Sequence, residues 1–175
     1  MNLPNILASF RIALAPLMFF LLVERDNPIF NGVHISWLDF FAALVFVIAS
    51  VTDFFDGFIA RQWQQMTKLG SILDPLADKL LMLSGFLGLL YLQRANVWAI
   101  FLILSREFFI TGIRVVAASE KRSVKASFAG KAKTVAQMFA IGFLIMNWSG
   151  GDILLWLSVI LALYSGYEYV REYLK

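Results

Sequence analysis

The sequence of 175 residues contains no cysteine and a single histidine, His34. The absence of cysteine excludes disulfide bonds, thiolate metal sites and thiol nucleophiles. Charged residues are also scarce, at 15% of the chain, and the formal net charge is only +3. Because the basic residues form no continuous stripe, we expect no nucleic-acid partner, and we expect membrane lipid as the partner instead.

Apolar residues are abundant, at 60% of the chain with a mean hydropathy of +0.75. This share is well above that of a soluble domain, so a lipid bilayer is the expected solvent. A helix that spans a bilayer needs about 20 mostly apolar residues. Runs of this kind predict an all-α integral membrane protein, a bundle of six transmembrane helices that forms a single domain over residues 1–175. The predicted spans are residues 5–23, 38–61, 70–91, 97–117, 130–148 and 153–169.

The distribution of lysine and arginine predicts the orientation of these spans. Six spans place both termini on one side of the membrane, and the loops on the opposite side hold only Arg25 and Arg94. We therefore expect cytoplasmic termini and a location in the cell (inner) membrane. The first apolar run follows no basic segment and precedes no cleavage site of small residues, so we interpret it as a retained span. The basic residues predicted on the cytoplasmic side are Arg61, Lys68, Lys121, Arg122, Lys125, Lys131, Lys133, Arg171 and Lys175.

Four aspartates lie at the ends of two neighbouring predicted spans. Asp53 and Asp56 are near the end of the second span, and Asp74 and Asp78 are near the start of the third. A carboxylate at such a depth costs about 3 kcal/mol, so positive charge must compensate these groups. Spacings of three and four residues place each pair on one helix face. Hard oxygen ligands with no histidine or cysteine nearby favour Mg²⁺ or Mn²⁺ over zinc.

An alternative interpretation needs no metal. The aspartates would then pair with Arg61, Lys68 and Lys79 in a buried salt-bridge network. The residues between the aspartates favour a ligand, because Gly57 and Ala60 leave the adjoining helix face free of bulk. Arg61 adds a planar fork of donors that is suited to phosphate or a nucleotide.

The string DFFDGFIAR, followed by eight residues and then GSILDPLAD, covers residues 53–78. It resembles the signature of the CDP-alcohol phosphotransferase family, DGxxAR, eight residues and GxxxDxxxD, with an earlier aspartate three positions before the first. All eight defined residues are matched. The resemblance implies a six-span bundle, usually a homodimer, with a two-metal site open to the cytoplasm. It also implies transfer of a phosphatidyl group from CDP-diacylglycerol to an alcohol.

The resemblance implies a role for each matching residue. The metal ligands would be Asp53, Asp56, Asp74 and Asp78, holding two Mg²⁺ or Mn²⁺ ions, and Asp78 would also be the catalytic base for the attacking hydroxyl. The CDP-lipid would be bound by Gly57, Ala60, Arg61, Asn5 and Thr67. Asn5, which follows Pro4, also fits an ordinary helix start.

A second group of residues is basic. Arg106 and Arg114 are eight positions apart in the fourth predicted span, so both can face one side of a helix, and Lys131 and Lys133 open the fifth. Together these four predict a cradle for the phosphate of an anionic acceptor. Alternatively, Arg106 pairs with Glu107 and the others only satisfy the charge bias of the cytoplasmic side.

The stretches SREF, TGIR and GKAKT, with the opening LPNILASFR, resemble the branch of this family whose acceptor is glycerol 3-phosphate. That resemblance implies phosphatidylglycerol phosphate and CMP as products. Within the family, inositol phosphate or serine is the alternative acceptor. Outside it, the alternatives are a divalent-cation transporter, which would need a route to the far side, and a non-catalytic scaffold, which leaves the aspartates unexplained. Ser84 and Gly88 predict either a dimer contact or close internal packing.

Overall fold

The computed structural model describes residues 3–63, 70–120 and 128–174. Within these ranges the chain forms six α-helices, one short 3-10 turn and no strand. The predicted fold class, an all-α membrane bundle, is confirmed. The helices are α1 (Leu3–Val23), α2 (Ile35–Trp63), α3 (Gly70–Tyr91), α4 (Val97–Ser119), α5 (Phe128–Ile145) and α6 (Gly151–Tyr173).

Only α3 agrees with its predicted span at both ends, and the other helices differ from theirs by two to four residues at one or both ends. Two of these differences follow from local structure at the helix ends. Helix α2 begins at Ile35 instead of residue 38, since the backbone N–H of Ser36 donates to Nδ1 of His34 at 3.2 Å and so caps the first turn. Helix α5 ends at Ile145 instead of residue 148, since Asn147 has a φ of 54°. The N–H of Trp148 then bonds back to the carbonyl of Phe143 at 2.9 Å, which closes the helix.

Four described helical segments are long and apolar enough to cross a membrane, namely Asn5–Val23, Ile35–Thr52, Phe128–Ile145 and Gly151–Tyr173. Helices α3 and α4 have similar lengths, 22 and 23 residues, but each contains three charged residues. Those charges lower the mean hydropathy of both helices. They include the aspartates and arginines that the sequence predicts to carry the chemistry.

The chain divides into two compact units, and the first contains α1, α2, α3 and residues 145–147. Helix α1 packs against both α2 and α3. The buried stripe on α1 recurs at spacings of three and four residues, as on one face of a helix. The side chains of this stripe are fully buried and are Ala8, Arg11, Ala15, Met18 and Leu22.

Helices α1 and α3 approach closely at Gly88. A Cβ atom added to Gly88 would lie 2.6 Å from Cδ1 and 3.0 Å from Cβ of Leu22, so only glycine allows this contact. Ser84, one turn earlier, is also buried. The structure thus shows internal packing for this pair of small residues. Arg11 and Asp78 are in contact nearer the N-terminal ends of the two helices than Leu22 and Gly88 are, so α1 and α3 run parallel.

A buried carboxylate connects the C-terminal ends of α1 and α3 to the start of α2. Asp39 of α2 is only 6% exposed and lies between two arginines. Arg25 donates to Asp39 Oδ1 and also, at 3.0 Å, to the carbonyl of Leu22 at the end of α1. Arg94, after α3, donates to Asp39 Oδ2 at 2.9 Å. One carboxylate therefore links three segments, and each of its oxygens has a cationic donor.

The second unit contains α4, α6 and α5 as far as Leu144. Helix α4 packs against α6. Arg106 of α4 contacts Ala162 of α6, and Arg114, further along α4, contacts Tyr169, further along α6. These two helices therefore also run parallel. That the whole chain forms one domain stays a prediction.

Candidate active site

The first half of the predicted acidic site lies on the last turns of α2. Asp53, Asp56, Gly57, Ala60 and Arg61 all fall within this helix. Their side chains lie outside the described part of the structure. Thr67 falls in residues 64–69, which also lie outside the described residues.

The second half lies on the first turns of α3. Asp74 and Asp78 are one turn apart, and their side chains are 41% and 45% exposed. Both carboxylates are therefore accessible to a ligand on one side while they contact protein on the other.

Arg11 supplies the positive charge on the protein side of these aspartates. Its side chain is fully buried, and its Nη1 donates to Oδ1 of Asp78 at 2.5 Å, while Nη2 lies 3.8 Å from Oδ1 of Asp74. This contact is charge-assisted and joins α1 to α3.

The sequence analysis missed Arg11, since it named only Arg61, Lys68 and Lys79 as possible counter-charges. A usable signal was present. Arg11 occupies a position in the otherwise apolar stripe of α1, and a cation in such a stripe needs an anion on the facing helix.

The residues of this site fit a divalent cation. Carboxylate oxygens are the ligands that Mg²⁺ and Mn²⁺ prefer, and the accessible sides of Asp74 and Asp78 provide them. No group of three or more histidine, cysteine, aspartate or glutamate side chains occurs among the described residues. Two of the four predicted ligands, Asp53 and Asp56, are not among those side chains.

Asn5, a predicted donor-binding residue, lies on α1 fewer than two turns before Arg11. Its side chain is buried at 6% exposure, and its backbone carbonyl accepts a hydrogen bond from Ser9 Oγ at 2.9 Å. The role of Asn5 in binding the donor stays a prediction.

The predicted acceptor residues separate into two kinds in the second unit. Lys133 is buried and Arg106 is half-buried, and they share one anion, since Lys133 Nζ donates to Glu107 Oε1 and Arg106 Nη1 donates to the same oxygen at 3.2 Å. The local Arg106–Glu107 pairing that the sequence left open is therefore present. These two cations are neutralised in part by a single carboxylate.

Arg114 and Lys131 differ, because both are exposed and neither contacts a carboxylate among the described residues. The guanidinium of Arg114 lies over the ring of Tyr169, with its central carbon 5.6 Å from the ring centroid. The face of this ring attracts a cation without neutralising it. These two residues therefore keep positive charge that an anionic ligand can use.

A helical membrane protein with an acidic site on α3 and a basic cluster on α4 and α5 has the features of an enzyme that handles charged headgroups at a bilayer. Residues 1–164 match the sequence profile of the CDP-alcohol phosphatidyltransferase family. The chain belongs to this family, and the resemblance seen in the sequence is confirmed. The family consists of phosphatidyltransferases that generally use divalent metal ions.

Several bacterial proteins resemble the chain over nearly its whole length. One from Rickettsia bellii (strain RML369-C) is 39% identical, with 97% of this chain and 94% of the relative covered. One from Bacillus subtilis (strain 168) is 35% identical, covering 98% and 94%, and one from Escherichia coli (strain K12) is 36% identical, covering 97% and 93%. Each of these relatives is named CDP-diacylglycerol--glycerol-3-phosphate 3-phosphatidyltransferase.

We predict that Arg11→Met destabilises the protein by about 1.5–3 kcal/mol, because it removes the charge-assisted contact between α1 and α3. Arg11→Lys should recover part of this loss, since lysine keeps the charge but not the planar fork. The measurement is thermal unfolding in detergent, in the presence of a chelator. Arg171→Met, at an exposed position of α6, is the matched control and should unfold like the unmodified protein.

Proposed function

We propose that this protein transfers the phosphatidyl group of CDP-diacylglycerol to glycerol 3-phosphate, which yields phosphatidylglycerol phosphate and CMP. One observation carries the proposal. Arg114 and Lys131 are exposed cations, and neither contacts a carboxylate among the described residues of this family member. A phosphorylated acceptor requires such cations, and a neutral or zwitterionic acceptor such as serine does not. The names of the relatives agree with this choice.

The donor side of the reaction belongs to the acidic site. Asp53, Asp56, Asp74 and Asp78 would hold two Mg²⁺ or Mn²⁺ ions, which would supply charge stabilisation for the transfer of the phosphatidyl group. The CDP-lipid is bound by further residues of the signature and of α1, namely Asn5, Gly57, Ala60, Arg61 and Thr67.

Asp78 is the base of the reaction. Its carboxylate is 45% exposed, so the hydroxyl of an acceptor can reach it, and it takes the proton of that hydroxyl. The hydroxyl oxygen forms a bond to the lipid-side phosphorus, the bond from this phosphorus to the oxygen of CMP breaks, and CMP leaves. Arg11 holds Oδ1 of Asp78 from the buried side, which fixes the carboxylate while its outer side remains available.

The acceptor phosphate is bound by the basic cluster. Arg114 and Lys131 contribute direct contacts, and Arg106 and Lys133 add positive potential that Glu107 only partly cancels. An inositol phosphate would also suit these cations, so it is the alternative acceptor.

A panel of acceptors tests the proposal directly. Purified protein with CDP-diacylglycerol and Mg²⁺ or Mn²⁺ should form phosphatidylglycerol phosphate from glycerol 3-phosphate, and excess EDTA should abolish the reaction. Asp78→Asn should lower kcat by several orders of magnitude, since it removes both a ligand and the base. Robust transfer in EDTA would contradict the metal site, and a preference for inositol phosphate or serine would contradict the acceptor.

A second prediction separates acceptor binding from donor binding. Arg114→Ala removes a charge-assisted contact worth about 1.5–3 kcal/mol, which corresponds to roughly a 10- to 150-fold rise in KM for glycerol 3-phosphate. The KM for CDP-diacylglycerol should stay nearly unchanged, and Arg114→Lys should recover only part of the loss. Each substrate is varied while the other is saturating, at a fixed lipid mole fraction in detergent. Equal changes in both constants, or none, would show that Arg114 is not an acceptor residue.

We further propose a location in the cell (inner) membrane, with both termini and the active site cytoplasmic, and a homodimeric assembly. The surplus of lysine and arginine on one side of the predicted spans supports the orientation. The family resemblance supports the dimer, which light scattering of the detergent-solubilised protein can measure.

The lack of native cysteine makes the orientation simple to test. A single cysteine placed at Asn27 should react with a membrane-impermeant maleimide in intact cells, because the loop after α1 is proposed to face outward. A cysteine placed at Glu172, near the end of α6, should react only after the membrane is opened. The reverse pattern of labelling would show that the orientation is inverted.

A further inference from the structure

One face of α6 forms a contact surface for the basic residues of α4. Ala162, Ser165 and Tyr169 follow each other at spacings of three and four residues, so they lie on one side of the helix. Their exposures are only 1%, 1% and 6%. The sequence analysis assigned no site residue to α6, and the match to the family profile ends at residue 164.

Arg106 is fixed to this face at two points. Its Nε donates to the carbonyl of Ala162 at 2.9 Å, and its Nη2 donates to Ser165 Oγ at 2.8 Å. The hydroxyl of Ser165 in turn donates to the carbonyl of Ala162 at 3.1 Å. Gly166 makes room for this arrangement, since an added Cβ would lie 3.3 Å from Nε of Arg106. Most donors of Arg106 are therefore occupied by protein.

Arg114 lies two turns further along α4 and meets the same face at Tyr169. The ring of Tyr169 is buried, so its position is set by packing, whereas the side chain of Arg114 is exposed. The guanidinium lies over the ring at 5.6 Å. A guanidinium held over an aromatic ring by a cation–π contact still has N–H donors, and these donors match the oxygens of a phosphate.

We propose that Tyr169 is a positioning residue for acceptor recognition, because its ring holds the Arg114 guanidinium ready for the acceptor phosphate. This inference rests on the proposed function, in which Arg114 binds that phosphate. A long exposed arginine samples many rotamers. If a ligand binds only one of these rotamers, its apparent affinity falls with the fraction of molecules in which the arginine adopts that rotamer. The fixed ring raises the population of the binding rotamer before the acceptor arrives. The α6 face of Ala162, Ser165 and Tyr169 thereby positions both Arg106 and Arg114.

The experiment compares three substitutions at Tyr169 under the conditions used for Arg114. Tyr169→Leu should raise KM for glycerol 3-phosphate by about 2- to 30-fold, the factor expected for a lost cation–ring contact. Tyr169→Phe keeps the ring and should stay within about twofold of the unmodified enzyme. Tyr169→Met serves in place of the leucine variant if that protein unfolds. The KM for CDP-diacylglycerol and kcat should change little in all of them.

A double-mutant cycle shows whether the ring acts through Arg114. If it does, adding Tyr169→Leu to Arg114→Ala should raise KM for glycerol 3-phosphate no further. The matched control is Tyr164→Leu, at a tyrosine of α6 that is 56% exposed, and it should leave KM unchanged. A loss in Tyr169→Phe as large as in Tyr169→Leu, or fully additive effects in the cycle, would overturn the proposal.

The outcomes also separate this inference from the proposed function. If Arg114→Ala raises KM for glycerol 3-phosphate and Tyr169→Leu does not, the inference is wrong and the proposed acceptor site stands. If Arg114→Ala has no effect on that KM, the acceptor site is wrong and the role of Tyr169 is overturned with it.

Discussion

The ion pair between Arg11 and Asp78 constrains how α1 and α3 can be arranged. A charge inside an apolar helix is costly unless an opposite charge meets it, so the buried guanidinium of α1 and the carboxylates of α3 must face each other. That requirement sets the positions at which the two helices meet. The close contact of Leu22 with Gly88 is then the continuation of the same packing toward the other end of the pair.

The same rule accounts for two further clusters. Asp39 has a cationic donor on each oxygen, from Arg25 and Arg94, and Glu107 serves two cations with one oxygen. In each cluster a single carboxylate joins segments that are distant in the sequence. Arg114 and Lys131 stand apart because no carboxylate contacts them among the described side chains. Positive charge that the protein does not itself neutralise is what a phosphate-binding site requires.

Much of the fold was predictable because long apolar runs leave a chain in a bilayer few alternatives to the helix. The ends of α2 and α5 were less predictable, because they depend on the ring of His34 and on the backbone of Asn147. The aspartates of α3 were recognisable from their spacing in the sequence. The stripe of α1 indicated that Arg11 needs an anion, but neither its partner nor that of Tyr169 was predictable, because helix packing selects a partner 50 to 70 residues away.

The pairing of Arg11 also constrains the order in which the membrane protein is assembled. Asp78 follows Arg11 by 67 residues, so α1 leaves the ribosome well before the carboxylate that neutralises it. Although α1 has the highest hydropathy of the candidate spans, it carries a charge that lipid alone cannot accommodate cheaply. The cost of burying Arg11 is therefore offset only once α3 has been synthesised and packs against α1. The contact that organises the acidic site thus forms late in the assembly of the first unit.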